Sequence, residues 1–310
     1  MLNALIDFIP KALRRIVLDC LRFRKLGDTW LRYFPLVRSL PETGLTYRMS
    51  SLGSIGVARE IFHHGEYNAI RPLLRDVRTV ADLGCNCGFF SCFVANEARN
   101  LAIRGLLVDA NPRMVREAQW HLKKNRLSKM RALHGVVGAN RETGNEVFYL
   151  CPDAAGSSRF PSGPAGNAIR TSWEPIEVPV LCVAEEWRKH FGDAPCDLLK
   201  IDIEGSEGDF IRREADFTAS VRFVLIEIHR WLVDANVIKN QLAALGFESS
   251  QSLCSSRDAD LRFYINRQHR SPRSISIASM KAPSAYPIAA EKERRINATE
   301  RSAAPVESRC

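Results

Sequence analysis

The chain has 310 residues, of which 45% are hydrophobic and 25% charged, and it carries a net charge of +9. That length suits one large domain with tails and excludes a small disulfide scaffold; no apolar run approaches the ~20 residues that a bilayer span needs. Residues 1–50 and 267–310 each hold nine Lys/Arg against four Asp/Glu, so the part between them is close to neutral, whereas a nucleic-acid enzyme usually carries its basic patch on the folded domain.

Residues 2–21 place Leu2, Leu5, Ile6, Ile9, Leu13, Ile16, Val17, Cys20 and Leu21 at helical spacing, with Lys11, Arg14, Arg15 and Arg22 mostly outside that stripe. Such a helix caps a domain, pairs with a partner, or lies peripherally on an anionic membrane surface. Asp7, Lys11, Arg14 and Arg15 interrupt any signal-peptide core. The nine cysteines form no Cys-x-x-Cys pair and read as small thiols of a reducing compartment, so the expected location is cytoplasmic. An amphipathic helical extension is assigned to 1–50. Residues 41–75 form a mixed entry region, with a helix over 68–74.

Strand and helix then alternate. Strand 79–83 leads to helix 89–99, strand 105–109 to helix 112–125, and strand 131–137 follows. Irregular chain from 140 to 180 contains the apolar run 147–150 and the loop Ala154-Ala155-Gly156-Ser157-Ser158. Helix 183–191, strand 197–203, helix 210–215, strand 221–228, helix 233–245 and strands 247–251 and 261–265 complete the domain. This alternation predicts a doubly wound, mostly parallel, seven-stranded α/β sheet over 51–267. Residues 268–310, rich in Ser, Pro, Ala, Arg and Glu, have the composition of a disordered basic tail.

Asp82-Leu-Gly84-Cys-Asn86-Cys-Gly88 lies at the turn from the first of these strands into its helix. That corner holds nucleotides in doubly wound sheets. The third glycine of a dinucleotide fingerprint is missing, and Asp82 would repel a pyrophosphate, so a nicotinamide-dependent oxidoreductase is disfavoured. S-adenosylmethionine has no phosphate and offers an ammonium and a sulfonium that Asp82 can face. Asp109, 21 residues after Gly88, stands where an acid accepts hydrogen bonds from a ribose diol, and Asn111-Pro112 starts the next helix.

In the run from Asp197 to Glu207, alternation puts Lys200, Asp202 and Glu204 on one face of a strand, a costly arrangement without a pocket or mutual pairing. Glu227 and His229 share a face at the end of the next strand. Parallel neighbours would gather Asp202, Glu204, Glu227 and His229 around one cleft.

Together with Gly65-Glu66-Tyr67, Val136-Val137-Gly138 and the loop ending Gly156-Ser157-Ser158, these motifs resemble the FkbM-type S-adenosylmethionine-dependent methyltransferases over about residues 55–250. The resemblance implies a class I methyltransferase (Rossmann-like) fold and methylation of hydroxyl oxygens on sugars or small natural products. It implies cofactor contacts at Asp82, Gly84, Asn86, Gly88, Asp109, Asn111, Val137, Gly138 and Asp202. Two departures stand out. Cys85 and Cys87 replace Ala and an aliphatic residue, and Ala139-Asn140 replaces the acid that usually follows the valines and glycine.

Methyl transfer to a hydroxyl needs the acceptor proton removed. His229 is the candidate base, with Glu227 or Asp202 orienting it and Lys200 and Glu204 beside it. Alternatively, Asp202, Glu204 and Glu227 hold a divalent cation that lowers the hydroxyl pKa. The expected partner is a small or carbohydrate acceptor rather than a specific nucleic acid. Rival readings are an RNA methyltransferase using the basic ends and a degenerate scaffold; Gly84, Gly88 and Asp109 speak against the latter.

Overall fold

The computed structural model describes residues 24–151, 157–160, 173–256 and 258–269. The amphipathic stripe of 2–21, Gly156 and the tail beyond 269 lie outside the described residues.

The first described element is helix α1 (Arg24–Tyr33), followed by a hairpin of β1 (Leu36–Ser39) and β2 (Thr46–Met49). This corrects the expectation of a purely helical extension over 1–50. Leu40, Leu45, Tyr47 and Met49 are buried in the main core, so the hairpin is part of the domain. Four-residue strands, of which only β2 alternates buried and half-buried residues, give too short a pattern to be read from sequence. Helix α2 (Leu52–Ala58) starts at a Ser51–Ser54 capping box and runs into a π-helical turn, Arg59–His64, that stops at Gly65 with φ 70°. A short 3-10 turn (Asn68–Ile70) and helix α3 (Arg71–Leu74) precede the sheet.

Seven strands follow the order β10-β11-β9-β8-β3-β4-β5, with β3 (Thr79–Leu83), β4 (Arg104–Asp109), β5 (Met130–His134), β8 (Leu198–Ile201), β9 (Phe223–His229), β10 (Phe247–Ser255) and β11 (Ala259–Asn266). Parallel pairing joins β5, β4, β3, β8 and β9, and β11 runs antiparallel to both of its neighbours. The expected doubly wound, mostly parallel sheet is therefore present. Helices α4 (Phe89–Glu97) and α5 (Pro112–Lys124) cover one face; α6 (Val183–Phe191), α7 (Glu207–Arg213), α8 (Ala215–Ser220) and α9 (Ala235–Ala244) belong to the other. A second hairpin, β6 (Asn145–Leu150) with β7 (Glu174–Pro179), stands outside the sheet.

Two core clusters line the two faces, and strand side chains alternate between them. In β9, Phe223 and Leu225 join the cluster containing α4, whereas Val224, Ile226 and Ile228 join the other. That period places Asp82, Lys200, Glu227 and His229 on the α4 side. There the sheet's apolar interior gives way to a cavity beyond the carboxyl ends of the strands, the position at which such sheets bind ligands.

Candidate active site

A cavity of ≈ 250 Å³ opens over the tips of β3, β4, β5, β8 and β9. At one end it is lined by Gly84, Cys85 and Asn86 from the loop after β3, by Asp109 and Asn111 after β4, and by Val136 and Val137 after β5. Asp109 is a fixed acceptor. Its Oδ2 accepts from Asn86 N at 2.7 Å and its Oδ1 from Asn111 N at 2.7 Å. Burial raises its pKa to about 6, although both amides pull it down. Gly84 has φ 72°, and a Cβ there would overlap the carbonyl oxygen of Asp202. Only glycine lets the loop pass that close to the end of β8.

Asp82 is not in the cavity wall, which corrects the expected contact with the cofactor's cationic groups. It is wholly buried, accepts from Ser91 Oγ at 2.8 Å, and lies 3.9 Å from Lys200 Nζ across the β3–β8 register. Its odds-and-evens position in β3 points it at the root of α4, beneath the loop. Gly88 and Gly138 also stand behind the wall: a Cβ at Gly88 would press on Ala118, and one at Gly138 on the start of α7. Of the expected cofactor contacts, Gly84, Asn86, Asp109, Asn111, Val137 and Asp202 do line the cavity.

The other end is acidic. Lys200, Asp202, Glu204, Glu227 and His229 all line it; Glu60, Glu66, Tyr67, Phe148 and Arg159 complete the cavity lining, with Phe148 in one apolar cluster with Ala110 and Val136 near the first end. Lys200 Nζ is 2.9 Å from Asp202 Oδ2. Burial disfavours its ammonium, but Asp202 and Asp82 outweigh that and raise its pKa. Beyond β8 the backbone turns sharply, with Glu204 at φ 50° and Gly205 at φ 99°, and this sets Glu207 at the start of α7.

Glu207 is the residue that the sequence reading overlooked. It is wholly buried; its Oε1 accepts from Gly205 N at 3.0 Å and lies 2.8 Å from His229 Nδ1. The orienting partner of His229 is therefore Glu207, not Glu227 or Asp202. With Nδ1–H donated to Glu207, Nε2 faces the cavity, 3.2 Å from Glu204 Oε2 and 3.9 Å from Asp202 Oδ1. Burial pushes the imidazole toward neutrality, yet Glu204 and Glu207 overcome it and raise its pKa well above 6.5. Burial among Asp202, Glu227 and Glu207 lifts Glu204 to about 7, against the pull of His229. Tyr67 packs edge-on to Phe90 at 4.9 Å; burial and the surrounding carboxylates hold its phenol neutral.

One ligand atom each from Asp202, Glu227 and His229 lie within 4.8 Å of one another, close enough to share a cation. The closing wall comes from residues 157–160. Ser158 Oγ donates to Glu204 O at 2.7 Å, and Arg159 Nη1 donates to Gly138 O at 3.1 Å. The seven described cysteines are free, and burial raises Cys85 and Cys87 far from thiolate formation. Cys85 lines the cavity as an apolar group.

No curated protein matches the chain in sequence. Among solved structures, a human methyltransferase 10 domain containing protein is similar at 12% identity, covering 78% of this chain and 94% of that one with a TM-score of 0.42. A putative tRNA (m1A22) methyltransferase from Streptococcus pneumoniae shares 8% identity, with 79% and 90% coverage and a TM-score of 0.41. TrmK from M. capricolum, solved with S-adenosyl-homocysteine, shares 10% identity, with 76% and 95% coverage and a TM-score of 0.40. The methyltransferase FkbM domain profile matches residues 82–249, more than half of the chain. That span runs from the Asp82 loop through β9 and contains β4, β5, β8 and β9 whole. The chain belongs to the FkbM family of S-adenosylmethionine-dependent methyltransferases.

Proposed function

We propose that the protein methylates a hydroxyl oxygen on a sugar or another small, uncharged acceptor. The observation that carries this reading is the His229 imidazole, held at Nδ1 by buried Glu207 while Nε2 faces the cavity. Several carboxylates around that nitrogen can accept hydrogen bonds from a polyhydroxy acceptor, and the same charges repel the phosphates of a nucleic acid.

The donor set suits the cofactor. Asp109 would hold the ribose diol, the Gly84–Asn86 loop would pass beneath the nucleoside, and Val136 and Val137 would flank the base. Asp202 would face the ammonium. No anion-binding nest is needed, and the acids at the strand ends would oppose one. When bound, S-adenosylmethionine supplies a methyl group already activated by its sulfonium. The chain's own work is to align the acceptor oxygen, exclude water and take up the hydroxyl proton. His229 Nε2 takes that proton, and Glu207 fixes the tautomer and stabilises the imidazolium. Because the surrounding carboxylates favour the protonated ring, turnover should rise with pH above 6.5, along a limb that belongs to the His229–Glu204 pair jointly.

The clustering of Asp202, Glu227 and His229 atoms supports a second reading, a divalent cation that lowers the hydroxyl pKa. Both readings use Nε2, so they exclude each other. Turnover measured with and without a chelator separates them. Activity that survives chelation and is lost in His229→Ala supports the base. Activity abolished by chelator and restored by Mg²⁺ or Mn²⁺ supports the cation, with Asp202→Asn and Glu227→Gln then the most damaged variants.

A further inference from the structure

Helix α1 presents an apolar face that the domain does not use. Of the eight large hydrophobic residues exposed among the described residues, five fall between 26 and 37: Leu26, Trp30, Tyr33, Phe34 and Val37. Leu26, Trp30 and Tyr33 follow one another at spacings of four and three and so share one side of the helix. Trp30 and Phe34 meet at 5.8 Å between ring centroids. Tyr33 and Phe34 are 73% and 63% exposed, far more than rings of a domain core.

The opposite side of α1 is already occupied. Leu31 is buried, a Cβ at Gly27 would lie 3.1 Å from Leu52, and Asp28 Oδ1 accepts from Leu52 N at 2.7 Å. Docking onto α2 therefore fixes the helix while leaving its aromatic side outward. It also turns the local acid inward. Arg32 and Arg38 are exposed beside the rings, and the sequence adds Arg22, Arg24 and Lys25 just before them. Glu42, the next acid along, is paired with Arg99. The surface therefore combines outward aromatic rings with unbalanced positive charge.

We infer that this face docks on an anionic lipid surface. Trp and Tyr favour the interfacial layer of a bilayer, and Arg side chains favour its acidic headgroups. Charge complementarity selects that occupant over a second copy of the chain, because two copies meeting here would bring like charges together. The chain upstream supports it too: residues 2–21 have the spacing of an amphipathic helix with four basic side chains nearby, and they lead directly into α1. This face is separate from the cavity, so the inference does not depend on the acceptor chemistry.

The test is co-sedimentation of the full chain with vesicles of phosphatidylcholine alone, or of phosphatidylcholine with phosphatidylglycerol. We expect retention on the anionic vesicles and release as salt is raised. The variant W30A/Y33A/F34A should lower partitioning by about tenfold or more, while its melting temperature and S-adenosylmethionine binding stay those of the parent. Arg32→Glu with Arg38→Glu should weaken binding to anionic vesicles as well. Failure of the parent chain to bind anionic vesicles would overturn the inference, as would unchanged binding by the triple aromatic variant. A parent dimer in sedimentation equilibrium that the triple variant abolishes, without vesicle binding, would assign the face to a second copy instead.

Discussion

Two buried histidines lie on the same face of the sheet and have opposite electrostatics. His121 on α5 is wholly buried; its Nδ1 bonds the carbonyl of Cys87 at 2.9 Å, and its Nε2 accepts from Arg48 N at 2.9 Å. Nothing there repays a positive charge well enough, and burial lowers its pKa to about 4. His229 is nearly as buried but is ringed by Glu204, Glu207 and Glu227, and its pKa rises. Burial is common to both, so the difference comes from the partners: backbone groups and a Glu117 carboxylate already paired with Arg48 around one, a ring of carboxylates around the other. The first ring is a strut that ties the β2 edge to the loop after β3. The second is the only one of the pair that faces the cavity.

The sharpest way to break this contrast is to remove each ring. His229→Ala should lower turnover by roughly two to four orders of magnitude with little change in cofactor affinity, the loss expected of a general base; steady-state kinetics beside titration calorimetry read both quantities. Retained turnover would show that the reacting proton goes elsewhere. His121→Ala should do the reverse. It strands Cys87 O and Arg48 N and should cost about 2–4 kcal/mol in urea unfolding, with turnover per folded molecule unchanged.

The two rings should also bend the stability curve in opposite directions. Folded His121 refuses a proton that the unfolded chain accepts near pH 6.5, so its effect is to lower stability as pH falls from 6.5 toward 4, by on the order of 3 kcal/mol. His229 has a raised folded pKa. Its stabilising contribution is complete below 6.5 and disappears as pH rises through that higher value. Denaturant melts across pH should show the acid-side decline reduced in the His121 variant and the alkaline-side decline reduced in the His229 variant.

Smaller changes sharpen the picture within the cavity. Glu207→Gln keeps the shape but weakens the hold on Nδ1; it should cost about 10–100-fold in turnover, the scale seen when a carboxylate behind an imidazole is removed, and move the pH limb to lower values. An unmoved limb would reduce Glu207 to packing. Asp109→Ala should weaken S-adenosylmethionine binding by about 1–3 kcal/mol without moving that limb, because its hydrogen bonds go to Asn86 and Asn111 and not to His229 or Glu204.

Much of this site was legible in the sequence because sheet geometry carries it. Strand 79–83 matches β3, and alternation along the parallel strands β8 and β9 puts Lys200, Glu227 and His229 on one face; Asp202 and Glu204, expected on the same strand, lie beyond the end of β8 and reach the cavity from the turn. What alternation cannot show is a residue delivered by a turn. β8 ends at Ile201, and the left-handed step at Glu204 and Gly205 brings Glu207 back to His229 from the start of a helix. Asp82 was misjudged for a related reason: a strand-end acid reads as reaching the ligand, yet Lys200 and Ser91 hold it below the loop. The β1–β2 hairpin escaped because its two strands are only four residues each and part of what anchors it is distant in sequence; Thr46 N donates to Asn125 Oδ1 and Arg48 ion-pairs with Glu117. Tyr67 was visible in the Gly65-Glu66-Tyr67 motif, but its place in the cavity depends on the π-helical turn before it.

The contact of Gly84 with the Asp202 carbonyl has a consequence for how such an enzyme can diversify. The loop after β3 and the end of β8 share a partition with no room for a side chain, so neither can be displaced without deforming the other. Selection for a new acceptor therefore finds its freedom in parts that do not touch this partition. The turn carrying Glu60 and the Ser157–Arg159 wall reach the cavity from outside the sheet. Exchange of those segments between relatives should alter which molecule is modified while leaving the methyl donor's seat undisturbed.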